Sequence, residues 1–197
     1  MPRAAARQSA PPADKREAVL TAALALFSER SFQGTPMPLV AERAGVGAGT
    51  IYRYFANKEA LGNAVYREAK LALQRHLLER RSGGPTPRDE FGAMWQGLWS
   101  FFQQQPAACR FLETQSHAAY LDDASRAIGD AVFMSISEFL RRGQAAGAIR
   151  LAPPPVLIAI ALGAFIGLVK EADAGRFALT QAVIDQSEVL LWDLLKA

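Results

Sequence analysis

Cysteine is nearly missing from this chain of 197 residues: Cys109 stands alone, so no disulfide can close within it. A stapled secreted scaffold is thereby excluded, and a reducing, cytoplasmic setting is the expectation. Histidine is equally scarce. His76 and His117, with one thiol, cannot assemble a multi-His or multi-Cys site, so no metal or other cofactor is expected. No serine sits in a nucleophile elbow, and no set of acid, base and nucleophile stands out, so the chain is not expected to be an enzyme. Strand-type alternation is absent, as is any internal repeat. An apolar leader is also lacking: MPRAAARQSAPPA, residues 1–13, carries Pro, Ala and Arg without a hydrophobic run and reads as a disordered arm.

Long hydrophobic runs are limited to one. The stretch from Leu151 to Val169 is uncharged, but Pro153, Pro154 and Pro155 interrupt it. A clean helix of about 14 residues from Val156 would span roughly 21 Å, against roughly 30 Å of bilayer hydrocarbon. No membrane span is expected, and the segment reads as a buried helix of a soluble body.

What remains is half apolar, enough for a sizeable core. The net charge of +3 hides an asymmetry: residues 1–85 carry +6 and residues 86–197 carry −3. A cationic front half favours a nucleic-acid partner there.

Helical spacing dominates. Val19, Ala23, Leu26 and Phe27 share one face of a first helix from about Asp14 to Arg30. A second is expected after Thr35 as N-cap, with Pro36 at its first position, ending at Gly45. A short third covers about 48–55, and Asn57 caps a fourth reaching about Arg81. The break SGGPTP, residues 82–87, precedes a fifth opened by Thr86, Pro87 and Asp89. Others are expected at about 106–119, 123–147, 154–173 and 180–196. The fold class is all-α, with about nine helices.

The stretch AGVGAGTIYRYFANKEAL, Ala44 to Leu61, poses the functional question. Its glycines do not follow a strand, and Thr50 stands where the third glycine of a dinucleotide fingerprint would fall. No Gly-Lys-Ser or Gly-Lys-Thr is present either, so nucleotide binding is disfavoured. A helix-turn-helix accounts for them better: Ala41 admits a close neighbour, Gly45 turns the chain left-handed, and Val40, Ala44, Val46, Ile51 and Phe55 close a small core. Thr50, Tyr52, Arg53 and Tyr54 are then left facing outward. Gly47, Ala48 and Gly49 leave the start of the third helix unobstructed, with no acid at the positive end of its dipole, an environment that attracts phosphate. Lys58, in the first turn of the fourth helix, sits at the wrong end of that dipole unless an anion lies near.

From about Lys15 to Leu61 the sequence resembles the DNA-binding domain of TetR-family transcriptional regulators. The resemblance is carried by AALALFSERSFQGTPM, LVAERAGV and GTIYRYFANKEAL. It implies an all-helical homodimer with a helix-turn-helix domain at 14–60 and a ligand-binding and dimerisation body at 61–197. By position it assigns phosphate contacts to Thr50, Tyr52, Tyr54 and Lys58 and base reading to Ala48 and Arg53, with Thr35, Gly47 and Gly49 completing the DNA-contact set. Arginine suits guanine, which it can bond in bidentate fashion. Three positions depart from the family pattern: Ser31 replaces a usual helix-ending glycine, Gly47 a common serine or threonine, and Pro38 a usual polar residue.

In the body, Trp95, Trp99 and Phe102 share a face of the fifth helix. With Phe111, Glu113, His117, Tyr120 and Phe133 they form the candidate pocket for a hydrophobic or aromatic effector. Glu113 and His117, one turn apart, could pair with each other or orient a ligand. Cys109 reads as a small buried hydrophobe. Ala159, Gly163 and Gly167 make a small-residue stripe, and Ile184, Leu191, Trp192 and Leu195 belong to a surplus of apolar positions on the last helix. A dimer interface is expected there. The expected function is a ligand-responsive regulator, a repressor that binds a palindromic double-stranded operator as a dimer and is released by a small molecule. The competing expectation is a helical small-molecule carrier with a non-functional helix-turn-helix domain.

Overall fold

The computed structural model describes residues 12–78, 85–114 and 117–197. Most of the expected N-terminal arm, the end of the long fourth helix and the first half of the SGGPTP break lie outside them. Among the described residues there are nine helices and no strand: α1 (Pro12–Arg30), α2 (Met37–Arg43), α3 (Ala48–Tyr54), α4 (Lys58–Leu78), α5 (Pro87–Gln104), α6 (Pro106–Thr114), α7 (Asp123–Ala145), α8 (Pro154–Asp173) and α9 (Gln181–Leu195).

They form two compact units. The first holds the described residues through Tyr66 together with Arg110–Asp122, and the second Arg67–Cys109 and Asp123–Ala197. The unit built around the helix-turn-helix therefore reaches past residue 60 and takes in a segment from the middle of the chain. Helices α4 and α6 each contribute to both units.

The first unit forms because α1 presents Val19, Ala23, Leu26 and Phe27, all fully buried, against Val40 and Ile51 of the next two helices. Its second layer comes from the inserted segment. Phe27 stacks on Phe111 at 5.9 Å, and Phe32 on Tyr120 at 4.0 Å. Gly62 permits that stack, since a Cβ there would lie 2.7 Å from the Phe32 ring. The Asn63 side chain closes the seam: Nδ2 donates to Tyr120 O at 2.8 Å, and Oδ1 accepts from the Asp122 amide at 2.8 Å.

Two local expectations shift here. Thr35 is not the N-cap of α2, a position taken by Pro36. Its hydroxyl instead turns inward to Ser31 O at 2.9 Å and Leu26 O at 3.3 Å, bracing the end of α1. Helix α6 is described as far as Thr114, and it does not continue to 119, because His117 to Tyr120 form a turn closed by Tyr120 N donating to His117 O. Ser31 is the positive-φ residue other than glycine among the described residues, at 65°.

In the second unit, Thr86 and Asp89 complete the expected capping box at the start of α5. Polar ties then clamp α5 to α9: Trp95 Nε1 donates to Ile184 O and Ser187 Oγ, Trp99 Nε1 to Gln181 Oε1, and Arg88 pairs with Glu188. Gly97 lets α5 cross the end of α4, because a Cβ would fall 2.3 Å from His76 O. The C-terminus is pinned by Arg150 N donating to Leu195 O and Ala197 N to Ala148 O.

Candidate nucleic-acid interface and apolar cavity

The turn between α2 and α3 is made by Gly45, whose φ of 66° places it in the left-handed region that glycine adopts without penalty. Gly45 N donates to Glu42 O and Val46 N to Ala41 O, so the last carbonyls of α2 are satisfied as the chain reverses. Val40, Ala41, Ile51 and Phe55 are buried beneath the turn, while Ala44 and Val46 are half-buried. An exposed Arg43–Glu29 pair at 3.3 Å braces α2 against α1.

With Ile51 spent on the core, α3 turns the opposite face outward. Ala48, Gly49, Tyr52 and Arg53 are exposed on it, Tyr52 by 52%, and Thr50 and Tyr54 are half-buried at its flanks. Among the described residues the side chains of Tyr52 and Arg53 have no hydrogen-bond or ion-pair partner. Gly47 is the N-cap of α3 in an extended conformation, with no side chain to cap it. Asn57 Oδ1 accepts from Ala60 N at 2.7 Å, capping α4 as its type predicts. Lys58 is half-buried: its ammonium lies 4.6 Å above the Phe32 ring and donates to Gln33 O at 3.2 Å. Thr35, expected to face DNA, is fully buried and holds the domain together from inside.

The aromatic set expected to line one pocket is divided. Phe111, His117 and Tyr120 belong to the first unit, where they pack with Phe27, Phe32 and Tyr66. His117 Nε2 faces Phe111 O at 2.9 Å, and a carbonyl only accepts, so this nitrogen carries the proton. Nδ1 then accepts from Tyr120 Oη at 2.6 Å. Burial, followed by the neighbouring Tyr66, pushes the Tyr120 phenol above its ordinary range, so it keeps the proton it donates. Glu113 is half-buried in the same unit. In the second unit Phe102 stacks on Trp99 at 5.7 Å, and Phe133 is an exposed residue of α7.

Trp95 does reach a cavity, one of about 90 Å³. Leu77 of α4, Trp95 and Leu98 of α5, Phe139 of α7, Ala161 of α8 and Leu195 of α9 are among its walls, and every lining residue is apolar. It lies wholly within the second unit. The sequence pattern had no means of locating it, since its walls come from five helices with four residues or fewer from each.

Helix α8 has two apolar faces. One, with Leu157, Ala161 and Phe165, looks into the unit. On the other, Val156, Ala159, Ile160 and Gly163 are exposed, and a Cβ at Gly163 or Gly167 would meet nothing within 4 Å. The expectation of a buried helix is thus half met: only 17% of its most apolar window is covered, although by length and composition it could cross a membrane. On α9 the expected interface residues Ile184, Leu191 and Leu195 are buried in their own chain. Trp192 packs on Phe91 beneath Arg88. The outward apolar residues of α9 are Val189, Leu190 and Leu194, with Leu190 exposed by 64%.

Comparison with known proteins agrees with this architecture. Residues 19–65 match the model of bacterial regulatory proteins of the tetR family, and residues 68–197 match that of the tetracyclin repressor-like C-terminal domain. An HTH-type transcriptional regulator of Haemophilus influenzae is 25% identical over 174 residues, 87% of this chain and 90% of that protein. The HTH-type transcriptional repressor KstR of Mycolicibacterium smegmatis is 33% identical over 115 residues, 58% of this chain and 54% of that one. That match covers about half of KstR. A TetR family transcription regulator from Marinobacter aquaeolei superposes with a TM-score of 0.84 at 24% identity, covering 93% of this chain and 96% of its own. The helix-turn-helix with its outward Tyr52–Arg53 face, and the helical body after it, are those of a DNA-binding transcriptional regulator, and the chain belongs to the TetR family.

Proposed function

We propose that the protein is a dimeric, effector-responsive repressor that reads a palindromic operator in the cytoplasm. The observation that carries this reading is the α3 face: Tyr52 and Arg53 stand exposed, their side chains unpaired among the described residues, on a helix whose opposite side is fixed in the core. Arg53 is the base-reading residue, with Ala48 beside it. Thr50, Tyr52, Tyr54 and Lys58 grip phosphates, and Gly47 and Gly49 let the backbone approach. Lys58 has donors to spare beyond the one used on Gln33 O. The repressor reading is supported by the name of its KstR relative.

A second copy covers the outer faces of α8 and α9. Val156, Ile160, Val189, Leu190 and Leu194 form too much apolar surface to leave in water, and the stripe at Ala159, Gly163 and Gly167 allows close helix approach. Two copies of α3 then enter successive major grooves roughly 34 to 36 Å apart. An effector held in the body acts on α4, which carries Lys58 at its first residue and Leu77 on the cavity wall near its other end. A 100-fold loss of operator affinity needs about 2.7 kcal/mol of preference for the non-binding state.

Selection from a random duplex library tests this reading. An enriched inverted repeat, lost when Arg53→Ala is used, is the expected result. Absence of any enriched sequence from the wild-type protein contradicts it and favours a carrier.

A further inference from the structure

The cavity of the second unit is more uniformly apolar than a pocket with a few polar groups for a hydrophobic or aromatic effector. Its lining contains no charged side chain, hydroxyl, amide or imidazole. Trp95, the one wall residue with a side-chain hydrogen-bond donor, turns its indole N–H away, to Ile184 O at 3.2 Å and Ser187 Oγ at 3.1 Å. Trp99 is spent in the same way on Gln181. Neither is available to orient a ligand, and a buried polar or ionic group placed here would lose its hydration for nothing.

Size narrows the class further. An apolar cavity of roughly 150 Å³ accepts a benzene ring, and this one holds about 90 Å³, so it suits a slimmer occupant. It also has a way in. Leu77, Phe139 and Leu195 are buried, whereas Leu98, Ile136, Ile158, Ala161 and Leu162 retain partial exposure, giving the cavity a floor and a mouth.

We infer that the effector is recognised through a linear, saturated alkyl chain, whose end enters between α5, α7 and α8, and that Ala161 sets how much chain is admitted. This rests on the regulator reading above and names the chemical class of its effector. Any head group stays at the mouth, in water. Occupation presses on α8 from the side opposite its outward face.

The test uses the full chain and a homologous series of n-alkanols, read by tryptophan fluorescence and by thermal shift. Benzene is the ring-shaped control. Affinity is expected to rise about fourfold per added methylene until the cavity is full, then level off, with benzene weaker than the alkanol that fills it. The n-alkanoates of matching length separate the two sources of such a chain. Equal affinity identifies the tail of an anionic amphiphile, and weaker binding of the carboxylates identifies a neutral alkyl compound. Ala161→Phe fills the cavity and is expected to lower alkanol affinity at least tenfold. The milder Ala161→Met is expected to shorten the chain length at which affinity levels off.

Unsaturable binding, affinity independent of chain length, or tighter binding of benzene would overturn the proposal. Operator binding measured alongside keeps the two readings apart. DNA binding without alkanol binding refutes the alkyl effector and leaves the regulator, and alkanol binding without DNA binding does the reverse.

Discussion

Asn63→Asp is a one-atom change with a calculable penalty. Asn63 is 4% exposed, and its side chain ties Tyr120 and Asp122 of the inserted segment to α4. An aspartate keeps the acceptor that receives the Asp122 amide but points its other oxygen at the carbonyls of Tyr120 and Glu59, where an N–H donor stood. One hydrogen bond between segments is lost at about 1 kcal/mol, and a stranded carbonyl beside a buried carboxylate adds roughly 2 kcal/mol. A loss of about 3 kcal/mol at pH 7 follows, corresponding to a fall in Tm of roughly 6 to 12 °C.

Burial raises the new carboxyl above its ordinary value, so the native state binds a proton more tightly than the unfolded chain. Native stability relative to wild type therefore recovers as the pH falls through the raised folded value, because the protonated acid can again donate to Tyr120 O. Urea unfolding followed by far-ultraviolet circular dichroism at pH 7 and near pH 4 measures both effects. A loss under about 0.5 kcal/mol at pH 7, or one that grows in acid, would refute this account of the seam.

Other substitutions test separate parts. Ser31→Gly removes a side chain from a left-handed residue and should stabilise the protein by about 1 kcal/mol in the same urea titration. Tyr120→Phe leaves His117 Nδ1 without its donor and should cost about 1 to 2 kcal/mol. Because the Tyr120 phenol is raised, wild-type stability should also fall as the pH climbs past about 10, where the unfolded tyrosine ionises, and this variant should show a shallower fall. Leu190→Glu combined with Ile160→Glu should yield a folded monomer by sedimentation equilibrium, since both residues are exposed in the single chain. A dimer that persisted would place the interface elsewhere.

The elements that were legible in the sequence are those whose signal is local. Gly45 needed φ > 0, Asn57 and Thr86 needed nearby amides to cap, and Ile51 with Phe55 marked the inner side of α3. Each is decided within one turn of its own residue. Thr35 departs from the capping preference of its residue type because its hydroxyl reaches back to Leu26 O, a tertiary contact that overrides it. The outcome on α9 has another cause. An apolar helix states that several faces avoid water without saying which is covered by its own chain, and Ile184, Leu191 and Leu195 went inside while Val189 and Leu190 stayed out. The aromatic set fails for a related reason: Phe111, His117 and Tyr120 lie close to the fifth helix in sequence but pack with α1 and the start of α4.

Fluorescence anisotropy with the DNA just upstream of the protein's own gene, against a scrambled duplex across a salt series, tests the regulator reading most directly. Selective binding is expected, with affinity falling steeply as salt rises, and Lys58→Ala should reduce the log–log slope by about 2 for a dimer that loses one phosphate contact per subunit. Equal, weak binding to both duplexes, with a slope unmoved by that substitution, would contradict it.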